Sequence, residues 1–175
     1  MPRLDPESLP VHVDRLYRAA WALCGSPHDA EDLVQETFVR VLSRPRLLRN
    51  DDELAYLMRV LRNTFLSSRR TASRRPHVTA TLEELELADQ RVADRPEHAL
   101  EAQALYGAIA ELPDDFRLAL VAVDILGLSY GEAGRALGAR EATITTRLHR
   151  ARRKVVASMD ERPPREGSAP QRSLD

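Results

Sequence analysis

Between Leu128 and Val156 the chain carries two short helical periodicities separated by a glycine, and this pattern restricts the fold more than any other stretch. Ser129 precedes Glu132 by three residues, the S-x-x-E spacing in which hydroxyl and carboxylate exchange bonds with backbone N–H groups at a helix start. Ala133, Ala136 and Leu137 give that helix one small apolar face, and Gly138 stands where a left-handed residue would end it. Beyond it Ile144, Leu148, Ala151 and Val155 recur at i, i+4, i+7 and i+11, a single buried stripe. At 100° per residue the opposite side carries Thr146, His149, Arg150 and Arg153, with Thr143 and Arg147 on its flank. Hydroxyls and guanidinium groups on one exposed face suit base edges and phosphates. A basic face alone is equally consistent with a solvated helical hairpin. The small-residue first helix, the glycine turn and the hydroxyl-and-arginine outer face together predict a DNA-reading helix-turn-helix.

A net charge of −1 argues at first against a nucleic-acid binder, but the charge is segregated along the chain. Seven Arg or Lys face two Glu between Ser129 and Ala157, and six arginines with no acid lie between Arg59 and Arg75. His77 to Glu101 holds seven acids against two arginines, so opposite local fields cancel only in the total. The single cysteine, Cys24, excludes a disulfide framework and a cysteine-based zinc site, and its apolar neighbours predict a buried, inert thiol. With no apolar run approaching the length of a membrane span and no hydrophobic signal segment at the N-terminus, the expectation is a cytoplasmic protein without membrane insertion.

Taken in order, helices are predicted over Val11–Leu23 and His28–Leu42, the second with the stripe Ala30, Leu33, Val34, Phe38, Val41 and Leu42 and an acidic first turn. Arg46–Asp52 reads as a loop. Glu53–Arg70 reads as a third helix with Leu54, Leu57, Met58, Leu61 and Phe65 inward. Periodicity fades from Thr71 to Asp94, apart from one turn near Leu82–Leu87, and an acidic linker is expected over 76–95. From Pro96 a helix with Ala99, Leu100, Leu105, Ile109 and Leu112 inward runs to Pro113. Asp114–Leu126 follows with Phe116, Leu120, Val123 and Leu126 inward. Pro, Ser, Gly and charge dominate the end of the chain and predict disorder over 159–175. The expected fold class is all-α, two small helical domains at 10–75 and 96–158 joined by a flexible linker. Each domain is short for an independent core, which favours docking on a larger partner.

Three motifs in order then resemble one family. DAEDLVQETFVRVL at Asp29–Leu42 resembles the core-polymerase-binding helix of bacterial sigma factors, and AYLMRVLRNTFLSSRR at Ala55–Arg70 resembles their minus-ten helix. Leu112–Val155 resembles their minus-thirty-five domain, and the two-domain length is similar to the extracytoplasmic-function (group four, sigma-70 family) class. By themselves Asp32, Gln35, Glu36 and Arg40 read as a solvated polar face; the resemblance implies docking on the clamp coiled coil of the largest subunit of core RNA polymerase. It implies that Asn63, with the loop before its helix, captures a flipped base, and that Arg59, Arg62, Arg69 and Arg70 hold phosphates. It implies that Thr145, Thr146, His149 and Arg150 read the minus-thirty-five element, with Thr143 at a phosphate and Arg147 and Arg153 beside them. The resemblance also implies promoter DNA and an anti-sigma factor as partners.

The chain departs from the family pattern at Tyr56, where tryptophan is frequent, and at Thr145, where a basic residue is common. Arg140 and Ala142 stand where a capping serine and a glycine are usual; losing the cap costs roughly 0.5–2 kcal/mol, and Arg140 is placed to contact a phosphate instead. The alternative reading is a stand-alone helix-turn-helix regulator, which has no need of the Asp29–Leu42 motif or the basic Arg59–Arg75 helix. The five histidines are scattered, and no metal-binding, phosphate-loop or nucleophile motif occurs, so neither catalysis nor a cofactor or metal is expected.

Overall fold

A computed structural model describes residues 8–43, 53–72 and 96–161. The expected loop at 46–52, the linker at 76–95 with its turn near Leu82–Leu87, and the tail beyond 161 lie outside the described residues. The elements are α1 (Leu9–Cys24), α2 (Pro27–Ser43), α3 (Glu53–Ala72), α4 (Pro96–Ala110), α5 (Asp114–Leu120), α6 (Tyr130–Leu137) and α7 (Glu141–Asp160), with a π-helical turn over Val121–Ile125 that prolongs α5. No strand occurs among the described residues. Pro10 sits in the first turn of α1, where its missing N–H costs nothing, and Pro27 opens α2.

The first module packs α1, α2 and α3 around Leu16, Leu23, Val41, Leu57, Met58 and Leu61, all completely buried. Thr37 belongs to this core although it is polar: its hydroxyl donates to the Leu33 carbonyl at 2.7 Å, so nothing is left unpaired. Leu42, expected inward, is instead 51% exposed, because Thr37 and Val41 fill the α2 stripe at its C-terminal end. The second module packs α4 and α5 against the helix-turn-helix. In it α7 buries Ile144, Leu148, Ala151 and Val155 as the spacing requires. α7 runs to Asp160, slightly past the expected boundary, with Met159 packed against the core.

The expected inward face of α4 needs correction. Leu100 and Leu105 are 58% and 39% exposed, while Tyr106, Ala108, Ile109 and Leu112 are buried; the side chain of Ala99 is outside those described. This helix is apolar nearly all round, so its period could not choose a face. The choice is made by Trp21 of α1, whose ring lies 4.9 Å from that of Tyr106. The two modules therefore meet along a seam. Gly25, in the left-handed conformation at φ 75°, ends α1 there, and a Cβ at that position would come within 2.8 Å of Ala110 Cβ.

Candidate nucleic-acid interface

The helix-turn-helix is built by local chemistry. Ser129 Oγ accepts from the Glu132 N–H at 3.3 Å while the Glu132 carboxylate accepts from the Ser129 N–H at 2.7 Å, the reciprocal pair expected from the spacing. Gly138 takes φ 67° and its N–H bonds back to the Gly134 carbonyl. Gly134 must also be small, since a Cβ there would lie 2.8 Å from the Ala139 carbonyl oxygen of the turn. α7 then begins at Glu141; Arg140 before it has N-cap geometry but makes no side-chain cap, as its lack of a short acceptor dictates.

With the α7 stripe buried, Arg140, Thr145, Thr146, His149, Arg150 and Arg153 are exposed, and Thr143 is half-buried at the edge. The Thr145 and Thr146 hydroxyls donate to the carbonyls of Glu141 and Ala142 at 3.1 and 3.0 Å, which leaves their oxygens as outward acceptors. Arg147 behaves differently. Its guanidinium donates to Asp115 at 2.5 Å, so its charge is engaged with α5. Arg152 braces the same helix through two bonds to Asp124 at 2.9 and 2.6 Å, and this bonded carboxylate, ahead of any other cause, raises its pKa above the ordinary guanidinium value.

On α3, Arg59, Asn63, Arg69 and Arg70 are exposed and Arg62 is half-buried. Arg62 donates to the Asn63 side-chain carbonyl at 3.2 Å, which orients that amide. Opposite them Leu57, Met58, Leu61, Thr64 and Phe65 are buried, so the basic residues share one side of the helix. On α2, Asp32, Gln35, Glu36 and Arg40 are all exposed on adjacent turns, with Arg40 paired to Glu36. Beside them an open groove of about 620 Å³ between α1 and α2 is lined by Val13, Tyr17, Val34, Gln35 and Phe38 among others. Val39 projects at 62% exposure on the same helix.

Comparison with known proteins matches both modules. Residues 11–75 match Sigma-70 region 2, and residues 102–155 match Sigma-70, region 4. The ECF RNA polymerase sigma factor SigM of Bacillus subtilis is 30% identical over 148 residues, 84% of this chain and 90% of that protein. The chain belongs to the ECF RNA polymerase sigma factors. SigE of Mycolicibacterium smegmatis is 36% identical over 157 residues; the match covers 89% of this chain but only 61% of that longer relative. EcfG of Rhodopseudomonas palustris is 35% identical over 152 residues, 83% of this chain and 79% of that one. Among solved structures, the fold is shared with RpoE of Bartonella quintana in complex with the anti-sigma factor NepR, at a TM-score of 0.63 and 24% identity, covering 89% of this chain and 96% of that one. CnrH in complex with the cytosolic domain of CnrY gives a TM-score of 0.63 at 23% identity, covering 88% and 86%.

One residue of this sigma factor that sequence reasoning missed is Arg117. It is 7% exposed, and its guanidinium donates to the Leu23 carbonyl and the Leu112 carbonyl, both at 2.7 Å. Burial pushes its pKa below the ordinary value and Asp114 partly restores it; a guanidinium nonetheless stays charged. In the sequence it stands inside an amphipathic helix as an ordinary surface arginine would, and only the partner carbonyls distinguish it. Cys24, expected as a buried, inert thiol, is only half-buried; its burial first, then the negative charge of Asp29, still pushes its pKa up to about 12. Among the described residues no group of His, Cys, Asp and Glu is arranged to hold a metal ion, and no helix is long and apolar enough to cross a membrane.

Proposed function

We propose that this chain confers promoter specificity on core RNA polymerase and carries out no chemistry of its own. The observation that supports it best is the pairing, in one chain, of a helix-turn-helix whose outer face carries Thr145, Thr146, His149, Arg150 and Arg153 with a second basic helix, α3, presenting Asn63 among Arg59, Arg62, Arg69 and Arg70. In this reading α7 enters the major groove at the minus-thirty-five element. Threonine oxygens, His149 and Arg150 meet base edges, while Arg140 and Arg153, with Thr143 at the helix start, meet phosphates; Arg147, held by Asp115, steadies the helix rather than reading sequence.

At the minus-ten element the task is different, since a base must leave the stack. Unstacking costs a few kcal/mol, recovered only where a protein supplies edge hydrogen bonds and backbone neutralisation. Asn63 offers both a donor and an acceptor, and the flanking arginines supply the charge. The face of α2 made by Asp32, Gln35, Glu36 and Arg40, with the apolar groove beside it, docks on the polymerase clamp. Two of the solved relatives are bound to an anti-sigma factor or to a cytosolic domain of a second protein, and an anti-sigma partner is proposed here by that likeness. A stand-alone regulator is the weaker reading, because residues 11–75 match the sigma region that such a regulator lacks.

The test is transcription in vitro with purified core enzyme and a library of promoter fragments. The expected result is a set of start-site-specific transcripts dependent on the added chain, together with co-elution of chain and core enzyme. Absence of both would overturn the assignment.

A further inference from the structure

The apolar stripe that seats α7 is narrow. At about 100° per residue Ile144, Leu148, Ala151 and Val155 fall within about 60° of one another, where a helix packed on a core usually buries ~100° or more. So thin a contact leaves the helix weakly held against rolling about its own axis. One arginine stands on each flank of it. Arg147 and Arg152 lie about 70° to either side of the centre of the stripe, and both end on carboxylates of α5 and the π-helical turn that prolongs it. Arg147 donates to Asp115 in the first turn of α5 at 2.5 Å. Arg152 makes two bonds to Asp124 in the π-helical turn, at 2.9 and 2.6 Å, and also bonds the Tyr130 side chain at the start of α6.

The π-helical turn has a part in this arrangement. Asp115 and Asp124 are nine residues apart, and in an uninterrupted α-helix they would point about 180° from each other. In this turn the Leu126 N–H reaches back five residues to the Val121 carbonyl, at 3.0 Å. The extra residue draws the two carboxylates together by up to about 100°, so both lean towards α7.

We propose that Asp115 and Asp124 determine the sequence specificity of α7 as positioning residues: through Arg147 and Arg152 they fix its roll without meeting DNA themselves. A roll in either direction stretches one of the two struts, so the pair resists both. Roll decides how Thr145, Thr146, His149 and Arg150 meet the base edges. A roll of about 20° carries a side-chain tip roughly 2 Å, at the ~5–6 Å radius of a helix with its side chains. Hydrogen-bond distances span only about 0.5 Å, so base contacts are lost, while phosphate contacts, which carry no sequence information, persist. The struts themselves add little to stability, because all four side chains are partly exposed and such pairs are screened. Removing one carboxylate therefore leaves the fold intact, and the effect falls on reading.

This inference rests on the DNA assignment of α7, and the experiment separates the two. The full chain, assembled with core polymerase, is offered duplexes whose minus-thirty-five segment is randomised, and the wild type selects its preferred duplex. The ratio of affinities for that duplex and a scrambled one is then measured for wild type, Asp115→Asn and Asp124→Asn. A further variant, Asp124→Arg with Arg152→Asp, restores the strut with its charges exchanged. The expected result is an unchanged melting temperature and a ratio about fivefold lower in each single variant, the worth of one modest base contact. The exchanged pair should recover the ratio. Preference should flatten at every selected position together, since a roll moves all the reading side chains at once. A ratio unchanged in either single variant overturns the roll lock and leaves the DNA assignment standing. So does flattening confined to one position, which marks a lost direct contact, or an exchanged pair that recovers nothing. A wild-type ratio near one in the assembled holoenzyme overturns the DNA assignment of α7, and the lock with it.

Discussion

Replacing Arg140 by serine should stabilise this protein and weaken its hold on DNA at the same time. Arg140 has φ −70° and ψ 149°, nearly the backbone of Ser129 at φ −63° and ψ 160°, and Ser129 caps its helix. A serine hydroxyl at position 140 would need no backbone movement to accept from the Thr143 N–H. The gain from an N-cap is about 1 kcal/mol, at the lower half of its range because Thr143 cannot complete the reciprocal bond that Glu132 makes to Ser129. Removing a cation from the positive end of the α7 dipole adds a few tenths of a kcal/mol at so exposed a site. The sum is roughly 1–1.5 kcal/mol, a rise of about 2–6 °C in melting temperature for a chain of this size. If Arg140 contacts a phosphate, Arg140→Ser also lowers the slope of log affinity against log salt by about 1 on minus-thirty-five DNA. Calorimetry and a salt titration of DNA binding measure the two arms. No gain in stability would refute the capping argument. A gain with an unchanged salt slope would remove Arg140 from the DNA interface.

Three further outcomes are expected. Trp21→Ala, at a ring that is 1% exposed and packed at a tilt against Tyr106 across the seam, should cost about 3–5 kcal/mol, read as a lower urea midpoint. Cys24, with its pKa pushed up to about 12, should alkylate at pH 8 roughly a thousandfold more slowly than an ordinary thiol, and at the ordinary rate once unfolded. Because the folded chain holds that proton more tightly, the same shift withdraws stability as pH rises from about 9 towards 12, which alkaline denaturation would detect. Glu36→Arg, at an exposed position, should leave the circular dichroism spectrum and melting temperature nearly unchanged while reducing co-elution with core polymerase; normal assembly would discredit the α2 docking face.

Much of the candidate site is legible before folding is considered. The Ser129–Glu132 box, the glycine at 138 and the stripe of Ile144, Leu148, Ala151 and Val155 all depend on residues three, four or seven apart. A helix brings such residues together whatever surrounds it, and burying one face fixes which side chains remain outside. The same logic gave α3 its arginine face. It could not show that Arg147 is tied to Asp115, because those residues are 32 positions apart and nothing periodic links them.

What the amino-acid order decides unaided, then, is the helices, their caps and the faces of those that are amphipathic, since these follow from nearest-neighbour geometry on a helix. Tertiary packing decides the rest. It turns α4 so that Tyr106 rather than Leu105 meets Trp21, and it buries Arg117 against a carbonyl 94 residues away. It also sets Arg59 against a carbonyl 76 residues distant. These choices depend on surfaces that come together only when the two modules meet, and a helix that is apolar on every side, or an arginine that resembles its neighbours, carries no local record of them.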